Sequence, residues 1–361
     1  MKWMLATLSL AAIVVLLGCA GTTVTITTTT TTTWIPEFNF VELDSSLTPI
    51  LSTSLSVDND NKINIAYTNS NLHFVSNKNG TWESQLICAN AYDAVIVTDS
   101  SNNLYIAYCG RKTVFDSVEA WYADNLSGSW ETEEIESDIS AGTKIHCVLD
   151  SNDKSHIVYY DTVHDALKYA TNQSGIWATT IVDSTADVGE YSSIALDEND
   201  HAYISYKDGT NWDLKYATNN TGTWQIELVD NGYHVGDTPS ISTDSSGNAH
   251  IAYLDFTSNA LKYATNRNGT WEISTLDNTA TVWIDISLVI DHNDKENISY
   301  YDQASKRLKL ATNRNGTWET YVVDSTGDVG QTSFITVDSN NKLYISYSDT
   351  TNQKLKIALE Q

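Results

Sequence analysis

The string LKYATN begins at Leu167, recurs at Leu214 and Leu261, and returns as LKLATN at Leu308, each step being 47 residues. A period of that length restricts the chain to repeat architectures, in which one unit buries its apolar face against the next. Degenerate copies at His73-Phe74, Trp121-Tyr122 and Lys356-Ile357 extend the series. A second marker, an apolar strand ending in Asp, falls at Asp58, Asp99, Asp150, Asp197, Asp244, Asp291 and Asp338. Nine residues after each comes a Tyr in an Ile-x-Tyr context, from Tyr67 to Tyr347. The repeats therefore number seven. Each parses into four short strands of alternating polarity divided by turn clusters such as Asp338-Ser339-Asn340-Asn341, and no helical period appears. Four strands per unit predict an all-β fold, a seven-bladed β-propeller over 34–361. Six repeats carry a Trp eight residues after the third-strand aromatic position, while the seventh stops short of its outer strand. The segment from Trp34 to Asp44 has no inner strands of its own and is expected to supply that strand and close the ring.

The hairpins before the Trp residues, Ser76-Asn77-Lys78-Asn79-Gly80-Thr81-Trp82 and Thr312-Asn313-Arg314-Asn315-Gly316-Thr317-Trp318 among them, resemble the Asp box of sialidase-like propellers. They are one residue shorter and carry Asn where the box has Asp. The resemblance implies a fold relative, with sialidase-like hydrolysis as the activity to test. Such enzymes hold a substrate carboxylate with three Arg, together with a Tyr-Glu pair and an Asp acid. This chain has four Arg, of which Arg267 and Arg314 sit in the hairpins, leaving Arg111 and Arg307. That is too few for the triad.

Ahead of the repeats, Lys2 precedes an apolar run from Trp3 to Leu17, too short to span a bilayer as a helix and long enough for a secretory signal. The run ends in Leu16-Leu17-Gly18-Cys19, which resembles the lipobox of prokaryotic lipoproteins. That resemblance implies a signal peptide over 1–18 and a diacylglyceryl group on Cys19, against ordinary signal cleavage or an uncleaved anchor. Residues 19–33 read as a Thr-rich stalk, bare or O-glycosylated, since ten of the twelve residues 22–33 are Thr. The expected location is extracytoplasmic and membrane-anchored. Forty-six acidic residues against 20 basic give a net charge of -26, which argues against nucleic acid, whose binding needs a basic footprint. The same charge repels anionic lipid, so the membrane would be held through the anchor alone.

Loop lengths locate the functional face. The Asp-to-Tyr and aromatic-to-Trp spacings are constant, so the turns on one face are uniform. Every length change falls on the other face: Tyr67 to Phe74 is 7 and Tyr108 to Tyr122 is 14, where later repeats have 10. Trp82 to Asp99 is 17, where later repeats have 20. A notch in blade 1 thus lies beside a ridge in blade 2, and the ridge holds the adjacent basic pair Arg111-Lys112. Such departures from repeat symmetry are where these surfaces tend to bind. Arg111, Lys112, Phe115 and Asp116, with Tyr92 and Asp93 in the short connection, are the candidate ligand site, against a merely drifted terminal blade. Trp212, Trp283, Tyr191 and Tyr233 with His234 add aromatic faces on the same side, suited to stacking on sugar rings or to ordinary packing.

The chemistry-bearing signals beyond that are few. Asp161, Asp208, Asp255, Asp302 and Asp349 follow the repeat Tyr by two and either cap turns or form a carboxylate ring for Ca²⁺; no cofactor is expected. His156 and His250 read as strand residues satisfied by neighbours. Cys88, Cys109 and Cys147 allow one disulfide, Cys88–Cys109, or free thiols. Hydrolase motifs such as Gly-x-Ser-x-Gly and His-Glu-x-x-His are missing. The expectation is a monomeric binding or scaffold module for a surface glycan or protein, with a carbohydrate-active hydrolase or lyase as the alternative.

Overall fold

The computed structural model describes residues 33–45, 49–136, 140–279 and 281–361. The signal-like segment, Cys19 and nearly all of the Thr-rich stretch lie outside them. Among the described residues there is no helix, and the strands form seven four-stranded antiparallel blades. Blades 3 to 6 are independent sheets whose strands follow chain order, beginning at Ala141–Leu149, Val188–Leu196, Val235–Thr243 and Val282–Ile290. In blade 7 the inner three strands, Val329–Val337, Leu343–Asp349 and Lys354–Glu360, take their fourth from the other end of the chain. Phe38–Ser45 pairs antiparallel with Lys354–Glu360, closing the ring as the repeat count requires.

Blades 1 and 2 are hydrogen-bonded into one seven-stranded sheet. The short Trp82-to-Asp99 spacing is the cause. It leaves no residues for a free connection, so the outer strand of blade 1 runs on as the inner strand of blade 2 in one element, Glu83–Thr98. The strand changes direction at bulges near Ala91/Asp93, with Asn90 in the left-handed region at φ 61°.

The repeat markers explain how blades hold together. Each marker Asp caps the first hairpin of its blade: Asp150 Oδ1, for example, accepts from the backbone N–H of Asn152 and Lys154, both at 2.8 Å. Each repeat Tyr except Tyr108 reaches back to a carboxylate on the outer strand of the preceding blade. Tyr206 to Asp183 is 2.8 Å, Tyr253 to Asp230 2.6 Å, and Tyr67 to Asp44 2.6 Å across the ring closure. In blades 3 to 7 the Lys of LKYATN joins the same carboxylate, as Lys215 does with Asp183 at 2.6 Å. In blades 3, 4, 5 and 7 it also lies within 4 Å of the Asp that follows the repeat Tyr, and these Asp also cap turns: Asp161 Oδ1 accepts from Val163 N–H, and Asp161 lies 3.3 Å from Lys168 Nζ. The hairpin Trp packs edge-on against the third-strand aromatic of the preceding blade, as Trp224 does on Tyr169 at 5.3 Å.

The seam between blades 1 and 2 departs from this scheme. Cys88 stands where the clasp carboxylate would be and Trp121 where the Lys would be; Tyr108 bonds the thiol and stacks on the indole. Cys88, Cys109 and Cys147 are all free thiols, so the disulfide alternative is not the one adopted. His156 and His250 are buried strand residues, each bonded to its own marker Asp and to a Tyr hydroxyl.

Candidate functional site: the axial basin

The inner strands run from the variable face toward the uniform one, so the first residues of each point into the axis at the variable-face end. Six positions before each marker Asp the seven blades contribute Ser52, Asp93, Lys144, Tyr191, Thr238, Asp285 and Thr332. All but Thr332 line an axial cavity of about 90 Å³ to which every blade contributes. Elsewhere in the repeat the inner-strand column is dominated by small and apolar residues; here it carries three charges and a phenol.

Lys144 organises the basin. Its Nζ lies 2.7 Å from Asp285 and 3.7 Å from Asp93. Burial disfavours the ammonium, but Asp285 and then Asp93 outweigh it, and the Lys144 pKa ends well above its ordinary value. Asp285 titrates higher than usual because burial exceeds the help it receives from Lys144. Asp93 is also fixed by the next blade, accepting the Ile145 N–H at 2.9 Å. Two residues farther along, His146 accepts the Ile194 N–H at 3.3 Å. Burial, with Lys144 nearby, pushes its pKa down to about 4 and keeps it neutral. Ser193, Ser240 and Ser287 occupy the same position in blades 4 to 6 and accept the equivalent N–H of the following blade. His146 is thus one member of an inter-blade ring of acceptors, and it also borders a second axial cavity below the basin.

Backbone geometry turns the basin residues inward. Tyr191, Thr238 and Asp285 adopt φ of 53°, 45° and 57°. The left-handed region is rare for any residue with a Cβ and costliest for a β-branched one such as Thr238. In blades 4 and 5 a Gly two residues earlier, Gly189 and Gly236, also with positive φ, precedes this entry. At Gly236, φ +79°, an added Cβ would lie 2.8 Å from Leu214 Cα. A further cavity of about 290 Å³, between blades 3 and 4, shares Lys144 and Tyr191 with the basin and adds Tyr160 and Glu190.

The residues expected from loop lengths divide into separate groups. Asp93 is buried in the axial basin, while Tyr92 faces the Arg111 guanidinium at 5.2 Å. Lys112 folds back on its own blade, 2.6 Å from Glu134. Asp116 accepts Thr113 N–H at 2.7 Å and so closes the long loop on itself. Phe115 is 95% exposed at the tip of that loop. Trp212 lies on blade 4, with His234 stacked at 3.7 Å and Lys207 Nζ 4.4 Å from the ring centroid, so the indole is already engaged within the protein. Lys207 in turn pairs with Asp237 at 2.5 Å and lies 5.6 Å from the Tyr191 ring. Trp283 pairs through its backbone with Tyr301; its side chain lies outside the described residues. Of the four Arg, Arg267 bridges Asp244 and Glu296, and Arg314 bridges Asp291 and Glu360; both are structural. Among the described residues no group of three or more His, Cys, Asp or Glu is placed to hold a metal.

Lys144 and Asp285 were not singled out from sequence. The signal was there in one column: six residues before the marker Asp, the repeats change from Ser to Asp to Lys to Tyr while their flanks stay conservative.

No protein-family model matches the chain, and no curated protein matches its sequence. Solved structures do match in fold. Virginiamycin B lyase from Staphylococcus aureus aligns at TM-score 0.60 and 12% identity, over 90% of this chain and 100% of that one. A polysaccharide lyase, the PL25 ulvan lyase, aligns at TM-score 0.61 and 10% identity, over 89% and 96%. The fucose-binding lectin of Aleuria aurantia aligns at TM-score 0.54 and 11% identity, over 76% and 96%. At such identities the likeness is one of fold, and the chain is a β-propeller.

Proposed function

We propose that this chain is a lipid-anchored, extracytoplasmic β-propeller that binds a surface glycan on its variable face. The observation that carries the reading is the axial basin, where successive blades converge an ammonium, two carboxylates, a phenol and hydroxyls on one cavity lined by the variable-face ends of the inner strands. Mixed donors and acceptors around a concave site suit a polyhydroxylated ligand. The fold neighbours lend support of a weaker kind: the Aleuria lectin was captured with Fucα1-6GlcNAc and the ulvan lyase with a GlcA-Rha3S oligosaccharide. The organisation proposed is a signal peptide over 1–18, a lipidated Cys19 and Thr-rich stalk over 19–33, and the propeller over 34–361.

Binding is favoured over the alternative of a hydrolase or lyase by the state of Lys144. A proton-abstracting lysine needs a depressed pKa, and the flanking Asp285 and Asp93 raise this one. His146 spends a ring nitrogen on a backbone N–H. The test is a glycan array probed with the full chain, with and without Ca²⁺, followed by a search for cleaved product from any glycan retained. Retention without turnover supports the reading; turnover would replace it with an enzyme.

A further inference from the structure

We propose, building on the reading that the variable face binds glycan, that the saccharide sits in the axial basin and that the basin selects uncharged saccharides over uronic-acid and sulfated ones. The first support is a pair of hydroxyls. Ser192 Oγ and Thr238 Oγ1 line the cavity, belong to residues at least nine-tenths buried, and have no hydrogen-bond partner. Buried hydroxyls left unpaired cost stability, and native structures keep few of them without a reason. Thr238 bears the further cost of its left-handed backbone. Both costs are explained if a ligand completes the hydrogen bonds.

The second support is the sign of the charge. Asp93 and Asp285 face the cavity against Lys144 alone, and the adjoining cavity adds Glu190. The next cation outward, Lys207, is answered by Asp237 at 2.5 Å and Glu190 at 3.6 Å. His146 contributes no compensating charge. The whole chain, at -26, adds repulsion of the same sign. Sugar hydroxyls both donate and accept, so they bond carboxylates, ammonium and Ser or Thr hydroxyls alike. A uronate or sulfate group only accepts, and here it would meet more carboxylates than cations where water is scarce. The cavity sharing Lys144 and Tyr191 gives an oligosaccharide room to continue between blades 3 and 4.

The experiment is an array of matched neutral, uronic-acid and sulfated tetrasaccharides probed with the full chain, followed by titration of the best binder of each class. The expected result is binding of neutral members, insensitive to added salt, with the matched anionic forms at least tenfold weaker. Preference for the anionic members would overturn the selectivity while leaving glycan binding in place. A blank array across all classes would overturn both this inference and the proposed function. Two variants locate the site. Asp285→Asn should weaken neutral binding at least tenfold and narrow the discrimination against uronates. Ser192→Ala, which removes an unpaired buried hydroxyl, should melt no lower than the parent protein and bind at least threefold more weakly. Undiminished affinity in a folded Ser192→Ala protein would place the ligand elsewhere.

Discussion

Replacing Lys215 with methionine removes one ammonium from an inter-blade clasp while keeping most of the side-chain volume. In the intact protein Lys215 Nζ lies 2.6 Å from Asp183, whose side chain is fully buried between blades 3 and 4. Removing one partner of a buried ion pair typically costs about 3–5 kcal/mol. Asp183 would keep the Tyr206 hydroxyl at 2.8 Å and the Thr185 N–H and hydroxyl at 2.9 and 2.8 Å, which places the expected loss at the lower end, about 3 kcal/mol. With an unfolding entropy of about 2 cal/mol/K per residue, a ring of this length loses about 1 °C of Tm for about 0.7 kcal/mol, so a drop of about 4 °C is expected. The comparison is Lys354→Met. That lysine pairs with Glu42 at the surface, with side chains 31% and 57% exposed, and its loss should cost less than about 1 kcal/mol. Differential scanning calorimetry of both variants at neutral pH makes the comparison. The pH dependence follows from the carboxylate. Although burial opposes it, the bond from Lys215 and those from Thr185 and Tyr206 hold the Asp183 pKa below its ordinary value. A depressed carboxylate contributes stability that is complete above its unfolded pKa of about 3.9 and is lost as pH falls through the folded value. The gap between parent and Lys215→Met should therefore be constant from pH 7 to about 5 and shrink below about 4. Equal Tm shifts for Lys215→Met and Lys354→Met would refute the clasp as the inter-blade fastening.

Gly236→Ala should destabilise by about 3 kcal/mol, since both φ +79° and the close Leu214 backbone oppose a methyl group; Gly269→Ala, at φ +81° in open space, should cost about 1 kcal/mol, and chemical denaturation separates the two. His146, neutral in the fold with a pKa near 4, contributes stability present above about pH 6.5 and lost as pH falls toward the folded value. His146→Gln should flatten that part of the Tm-versus-pH curve, and an unchanged slope would count against a buried neutral imidazole. Cys19→Ser should move the protein from the membrane to the soluble fraction or leave it unprocessed with loss of the lipid mass; retention in the membrane at unchanged mass would end the lipoprotein reading.

The architecture was legible because a fixed spacing of Asp, Tyr and Trp is the chemistry of the blade itself. The Asp caps a hairpin, the Tyr in six of the seven blades reaches back to the preceding blade and the Trp covers an aromatic there, which holds their spacing fixed. Ring closure by Trp34 to Asp44 followed from the same count. The fusion of blades 1 and 2 into one sheet did not, although the short connection that causes it was visible, because spacing shows that a loop is short without showing that its strands become continuous. The site was harder. Loop length singled out the blade 2 ridge with Arg111, Lys112, Phe115 and Asp116, and there the side chains mostly satisfy one another: Lys112 on Glu134, Asp116 on its own turn. Asp93 is the residue from that set which reaches the axis. Its partners Lys144 and Asp285 lie 51 and 192 residues away in sequence; ring closure places the inner strands side by side around the axis, and only a register that aligns all seven repeats on the marker Asp reveals that they share a column.

The most direct test is a crystal structure of the protein grown with the tightest neutral oligosaccharide from the array. A sugar ring is expected in the axial cavity, with hydroxyls bonded to Lys144, Asp285 and the now satisfied hydroxyls of Ser192 and Thr238. A sugar bound instead between blades at the rim, or against Phe115 and Arg111 with the axial cavity unaltered, would contradict it.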